Sequence, residues 1–134
     1  MHNPAYPDTD KTICLDFDGV IHDDNLGYHD GTVYGKPIEG AIDAIKEISE
    51  HCKIVICSTK ARDDRPRVDN KTGWGLIWRW LKDHNIGRYI DSVTAVKPPA
   101  FMYVDDKNWP AGKRFNKYVW MHLLGTLREL WKLQ

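Results

Sequence analysis

The stretch from Thr12 to Asp24 constrains this chain most. It opens with an uncharged run, Ile13-Cys14-Leu15, and breaks at once into Asp16-Phe17-Asp18-Gly19. An apolar run of strand length suits a strand buried on both faces, as in a parallel sheet. In such sheets ligands bind beyond the carboxyl ends of the strands, where Asp16 and Asp18 would lie. In extended chain, residues i and i+2 share a face, so both carboxylates can point at one spot. Like charges so close repel unless a cation sits between them. A hard divalent ion such as Mg²⁺, which prefers carboxylate and carbonyl oxygen, is the obvious candidate. The plainer reading of Asp-x-Asp-Gly is a solvated turn. A calcium-binding loop does not fit: its glycine position falls on Ile21 and its bidentate glutamate on Gly27.

A chain of 134 residues is expected to form one domain, 1–134. Its formal net charge is zero, so no global field draws it to nucleic acid or membrane. Cys14, Cys52 and Cys57 are an odd number, and two lie in apolar runs. They read as reduced core thiols of a cytoplasmic protein, not as a disulfide frame or zinc site. Met1 to Lys11 is polar, carries Pro4 and Pro7, and reads as a loose arm, not a signal peptide. No apolar run approaches the roughly 20 residues needed to span a bilayer.

Periodicity sets out the remaining elements. The first strand is expected over about 12–17. Residues 24–36 carry three glycines and an Asp-Gly pair, and read as a hairpin-like flap. Pro37 suits a helix first turn, and Ile38, Ala41, Ile42, Ile45 and Ile48 predict a helix over 38–50. Lys53 to Cys57 is a second strand, ending in Ser58-Thr59-Lys60. A charge-dense loop fills 61–72, and Trp74, Ile77, Trp78 and Leu81 stripe a helix over 73–84. Asn85-Ile86-Gly87 looks like its stop. A short third strand follows near Ser92 to Val96, then Lys97-Pro98-Pro99. Phe101 to Val104 is the fourth, ending in Asp105-Asp106. Trp109, Pro110 and Gly112 form a loop, and Asn116 caps a last helix over 117–132. That helix carries too many apolar residues for one face, from Val119 to Trp131. Either it packs deeply, or part of it meets a partner, as in a homodimer. Alternating strands and helices imply a parallel, three-layered α/β/α sandwich.

The polar clusters fall at strand ends, and strand ends on one edge of a parallel sheet converge. Together they make the inventory for phosphoryl transfer through an aspartyl-phosphate. Asp16 supplies a carboxylate nucleophile. Asp18 protonates the leaving alcohol, then activates water. Ser58 binds phosphoryl oxygens, Lys97 adds positive charge, and Asp105 with Asp106 completes a metal shell.

Four of these segments resemble the motifs of the haloacid dehalogenase-like hydrolase superfamily. Ile13 to Ile21 is similar to its first motif, and Ile54 to Thr59 to its second. Lys97 stands for the third, and Tyr103-Val104-Asp105-Asp106 for the fourth. The resemblance implies a Rossmann-like core, with Asp16 as nucleophile and Asp18 as acid/base. It implies Mg²⁺ held by the Asp16 side chain, the Asp18 carbonyl and the acidic pair. Aspartate at 18 is similar to the phosphatase branch, not the dehalogenases. Lys97 lies closer to Asp105 than in many relatives, so Lys60 and Arg62 are rival cations, and which of Asp105 and Asp106 touches metal stays open.

Between the motifs there is no room for a cap domain, so the site is expected to be open. It would admit a small phosphate ester or a nucleic-acid end. Ser58-Thr59-Lys60, with the basic loop and Trp74, is similar to the 3′-phosphatase domain of polynucleotide kinases. In that reading Gly19, Thr59, Lys60 and Arg62 bind substrate beside Ser58. The plainer reading leaves the loop charges solvated and Trp74 in the core. A third reading is a non-catalytic interaction module using the last helix. His22 is expected to line the site or to sit behind it or on the surface, and His29 and Asp30 on the flap are candidates to touch substrate. His51, His84 and His122 read as structural.

Overall fold

The computed structural model describes residues 11–107 and 114–133. The arm expected over 1–11, Lys11 apart, and the loop through Trp109, Pro110 and Gly112 lie outside the described residues. The elements are β1 (Thr12–Asp16), α1 (Ala41–Ser49), β2 (Lys53–Cys57), α2 (Gly73–Asp83), β3 (Ser92–Thr94), β4 (Met102–Val104) and α3 (Lys117–Lys132). The four strands form one sheet in the order β3-β2-β1-β4, and every pair is parallel. Among the described residues no helix is long and apolar enough to cross a membrane.

Register sorts the strand residues into two unlike faces. Ile13 pairs with Ile54 and Met102, and Leu15 pairs with Ile56 and Val104. Ile56 in turn pairs with Val93. This face is apolar throughout and joins the core cluster with Ala44, Ile45, Ile48, Ile77, Leu81, Trp120 and Leu123 from the three helices. Each such aliphatic side chain stabilises the fold by about 1.5–3 kcal/mol when fully buried. The opposite face aligns Cys14 with Val55 and Tyr103, and Asp16 with Cys57. It is mixed in polarity, and Tyr103 is exposed. β1 and β2 are nonetheless buried on both faces, as their runs suggested: Cys14 and Val55 are covered as well as their neighbours. The buried residues of all three helices gather with one sheet face, and the expected second helical layer is not seen among the described residues.

Several boundaries shift for local reasons. α1 begins at Ala41 and not at 38, because Gly40 turns the chain at φ 92°. A side chain at Gly40 would press on Lys117 and Trp120. Pro37 does not open the helix. It forms an antiparallel bridge with His22. The expected hairpin over 24–36 has no ladder: Asp23 N–H donates to Lys36 O at 2.9 Å at its neck, and the Tyr34 hydroxyl accepts from Leu26 N–H at 2.9 Å and donates to Gly27 O at 2.7 Å. Above that neck the segment is a series of turns, and the Trp80 indole donates to Gly35 O at 2.9 Å.

α2 is capped by Thr72, whose Oγ1 accepts from Gly75 N–H at 3.0 Å. It stops where foreseen. Asn85 takes φ 60°, and Ile86 and Asn85 N–H groups return to Leu81 and Lys82 carbonyls. Ile77 and Leu81 of its expected stripe are buried, but so is Trp80, whereas Trp74 is half exposed.

α3 starts on the Asn116 side chain, which accepts from the Tyr118 and Val119 N–H groups. Its apolar residues divide. Trp120, Leu123, Leu124 and Leu127 are buried, Val119 and Trp131 are partly covered, and Leu130 is exposed. Trp131 stacks on His51 with ring centroids 3.9 Å apart. Trp120 also donates its indole N–H to Val20 O at 2.9 Å, tying α3 to the turn after β1. Trp120→Phe is expected to strand that buried carbonyl and lower stability by about 1–3 kcal/mol. Urea denaturation measures it, and an unchanged midpoint would remove the tie from the account.

Candidate active site

β1 delivers Asp16 to the sheet edge, on the face it shares with Cys14. The Asp16 Oδ1 accepts from Phe17 N–H at 2.9 Å, which fixes the carboxylate. The chain then folds back tightly: Ile21 and His22 N–H groups both donate to Phe17 O at 2.9 Å. Gly19 makes this turn at φ 79°, a conformation that favours glycine. A Cβ there would overlap Asp106 Oδ2, so a side chain at this position would displace the Asp106 carboxylate.

The turn also buries His22 completely. Its Nε2 accepts from Gly35 N–H at 2.9 Å, which leaves the proton on Nδ1. Nδ1 donates to Asp18 Oδ1 at 2.8 Å. The ring lies parallel to Phe17 at 5.2 Å and meets Trp80 edge-on at 5.5 Å. His22 is thus neither surface nor cleft lining. It orients Asp18.

β2 ends beside β1 and delivers Ser58. Ser58 N–H donates to Thr94 O at 2.9 Å, and Ser58 Oγ accepts from Lys60 N–H at 3.2 Å. This tightens Thr59–Ala61 into a single 3₁₀ turn that carries the Lys60 Nζ to 3.3 Å from Asp18. Gly73 packs on the Lys60 carbonyl so closely that a side chain would overlap it. Lys97 enters from the β3–β4 connection, its Nζ 5.7 Å from the Tyr103 ring centre. Asp105 and Asp106 follow β4 directly.

One open cleft of about 320 Å³ collects these ends. Asp16, Asp18, Ser58, Thr59, Lys97, Asp105 and Asp106 all line it. Lys60 sits behind Asp18, and Gly19 against Asp106. Arg62 is elsewhere: it pairs with Asp64 and lines a neighbouring cleft. His29 and Asp30 are exposed and do not line the cleft. Asp24, Tyr103 and Lys107 do line it. Nothing in their spacing singled them out. Asp24 is fixed by Arg114, 2.6 Å away, in a contact between residues ninety positions apart. Cys14 is a buried free thiol as expected, and it borders the floor of the cleft together with the partly covered Cys57, both on the Asp16 face.

The two leading carboxylates differ sharply. Burial raises the Asp16 carboxyl to about 7, and the negative charges of Asp106, Asp105 and Asp18 add to it against the Phe17 N–H. Burial and Asp105 raise Asp106 as well. Asp18 goes the other way. Burial pushes it up, but the His22 hydrogen bond and the Lys60 charge outweigh that and hold it below its ordinary value.

Asp16, Asp105 and Asp106 each bring one carboxylate oxygen within 4.8 Å of the others. The Asp18 side chain is not in this set, being held by His22 and Lys60. An all-oxygen donor set suits a hard divalent cation. The nearby thiols do not compete. Burial and the adjoining Cys57 raise Cys14 to about 12, and burial with the Asp16 charge raises Cys57, so both stay protonated.

No protein-family model, curated protein or solved structure matches this chain.

Gly19→Ala is expected to push Asp106 off this cluster and weaken divalent-cation binding about 10–100-fold, read by calorimetry. Unchanged affinity would mean that Asp106 is not a ligand.

Proposed function

We propose that the chain is a Mg²⁺-dependent phosphomonoester hydrolase of the haloacid dehalogenase-like type, working through an aspartyl-phosphate on Asp16. One observation carries the reading: six groups from four separate segments, Asp16, Asp18, Ser58, Lys97, Asp105 and Asp106, line one cleft. Each has a use in phosphoryl transfer, and a solvated turn at Asp16 would need none of the others.

In this reading Asp16, Asp105 and Asp106 hold Mg²⁺, with the Asp18 carbonyl as the family resemblance implies. Bound there, the ion supplies charge neutralisation between the Asp16 carboxylate and the phosphate. The Asp16 oxygen attacks phosphorus, and the phosphorus–oxygen bond to the alcohol breaks. Asp18 delivers a proton to that alcohol, and the charge that the phosphate brings opposes the His22 and Lys60 contacts that otherwise keep its carboxyl ionised. It then takes a proton from the water that attacks the acyl-phosphate, which frees inorganic phosphate and restores Asp16. His22 holds the Asp18 carboxyl in place for both transfers. Ser58 and Lys97 bind phosphoryl oxygens, and Lys60 balances charge on Asp18.

The same reading makes the fold Rossmann-like and capless. Between Asp18 and Ser58 the chain has one tied loop and α1, and between Ser58 and Lys97 one loop, α2 and β3. The exposed Met121 and Tyr118 of α3 leave room for a homodimer contact there.

Hydrolysis of p-nitrophenyl phosphate with Mg²⁺ tests the proposal. Wild type is expected to turn over and to stop when the ion is chelated. Asp16→Asn is expected to lose at least about 10³-fold in kcat, and Asp18→Asn about 10²–10⁴-fold. An inert wild type across a phosphate panel, or full activity in Asp16→Asn, would overturn it.

A further inference from the structure

A second cleft, of about 470 Å³, opens beside the first. Arg62, Arg65, Arg67, Asp63, Thr72 and Trp74 line it. The two clefts share a wall. Thr59 lines the first, and its Oγ1 accepts from the Arg65 guanidinium at 3.1 Å. A group leaving the first cleft past Thr59 therefore meets Arg65.

The second cleft is built from fixed parts. Its loop is pinned by a two-residue turn, Asp69 and Asn70 at φ 50° and 65°, with Val68 and Lys71 exchanging backbone hydrogen bonds. Arg62 is neutralised by Asp64. Arg67 has no ion-pair partner among the described residues, so its charge stays available to a ligand. Trp74 is 50% exposed, yet its ring is anchored. The indole N–H donates to Val93 O at 3.1 Å, and Trp78 meets it edge-on at 6.2 Å.

Guanidinium groups bind phosphate in bidentate fashion. A rigid, half-exposed indole offers a flat surface for a nucleobase. A phosphopeptide would use the arginines and leave the indole bare, and a simple sugar phosphate would fill only the first cleft. We infer that the leaving group of the substrate is a nucleotide bearing a second phosphate, its base on Trp74 and that phosphate on Arg65 and Arg67. The inference rests on the phosphatase reading above. The bond cleaved is from phosphorus to a sugar oxygen in the first cleft. The second phosphate leaves on the product. A free nucleoside bisphosphate and a phosphorylated oligonucleotide end share this chemistry.

The test is steady-state kinetics of the full chain with Mg²⁺ on p-nitrophenyl phosphate, adenosine 3′,5′-bisphosphate and a 3′-phosphorylated oligonucleotide. At least one nucleotide substrate is expected to exceed the aryl phosphate in kcat/KM, and which one identifies the source. Trp74→Ala is expected to raise KM for it about 5- to 100-fold, with partial rescue in Trp74→Phe. Arg67→Ala is expected to lower the ratio of nucleotide to aryl-phosphate kcat/KM at least about tenfold. Turnover of the aryl ester with no nucleotide preference, or unchanged nucleotide kinetics in both variants, overturns the inference and leaves the phosphatase reading standing. Calorimetric binding of adenosine 3′,5′-bisphosphate to Asp16→Asn reads the second cleft without turnover. Binding that weakens when Trp74→Ala is added supports the nucleotide site on Trp74, and no binding overturns the inference.

Discussion

Three carboxylates from two strand ends crowd within 4.8 Å of one another at the edge of this sheet. At an effective dielectric near 20, each charged pair at that separation repels by about 3.5 kcal/mol. The rest of the architecture reads as what holds them there. Parallel pairing of β1 with β4 fixes the strand ends side by side. Gly19, lacking a side chain, lets Asp106 close in. The repulsion shows in the chemistry: burial and the neighbouring acids together lift Asp16 to about 7.

Asp18 stands two residues away and escapes this fate because other parts of the chain attend to it. His22 reaches it from the turn, and Lys60 from the end of β2. Both are backed by glycines: Gly35 N–H donates to His22 and a side chain there would overlap the Asp23 carbonyl, and one at Gly73 would overlap the Lys60 carbonyl. The loop tied at Asp23 and Lys36 therefore contributes Gly35 behind His22 and Asp24 to the cleft wall.

Much of this was legible in the residues. Strand-ending carboxylates and a strand-ending Ser-Thr pair predict convergence on one edge, since a parallel sheet admits little else. β2 and α3 fall where periodicity and the Asn116 cap put them. The face of each strand was harder to read. All of Ile13-Cys14-Leu15 and Ile54-Val55-Ile56 are buried, yet only alternate residues join the main cluster with the helices. Register decides this, and register is a property of two strands together. Helix starts erred for a similar reason: Ile38 is buried as a helix residue would be, but a close approach by α3 at Gly40 delays the turn. Arg62 looked like a cation near Ser58 by sequence distance, and a local pairing with Asp64 takes it away. Asp24 and Lys107 join the cleft through tertiary closure that no local pattern encodes.

A crystal structure grown with Mg²⁺ and beryllofluoride, a phosphoryl mimic, tests the central claim most directly. The account predicts beryllium bonded to an Asp16 oxygen, with the ion about 2.0–2.1 Å from the other Asp16 oxygen and from Asp105 or Asp106. An ion or mimic lodged away from Asp16 would contradict it.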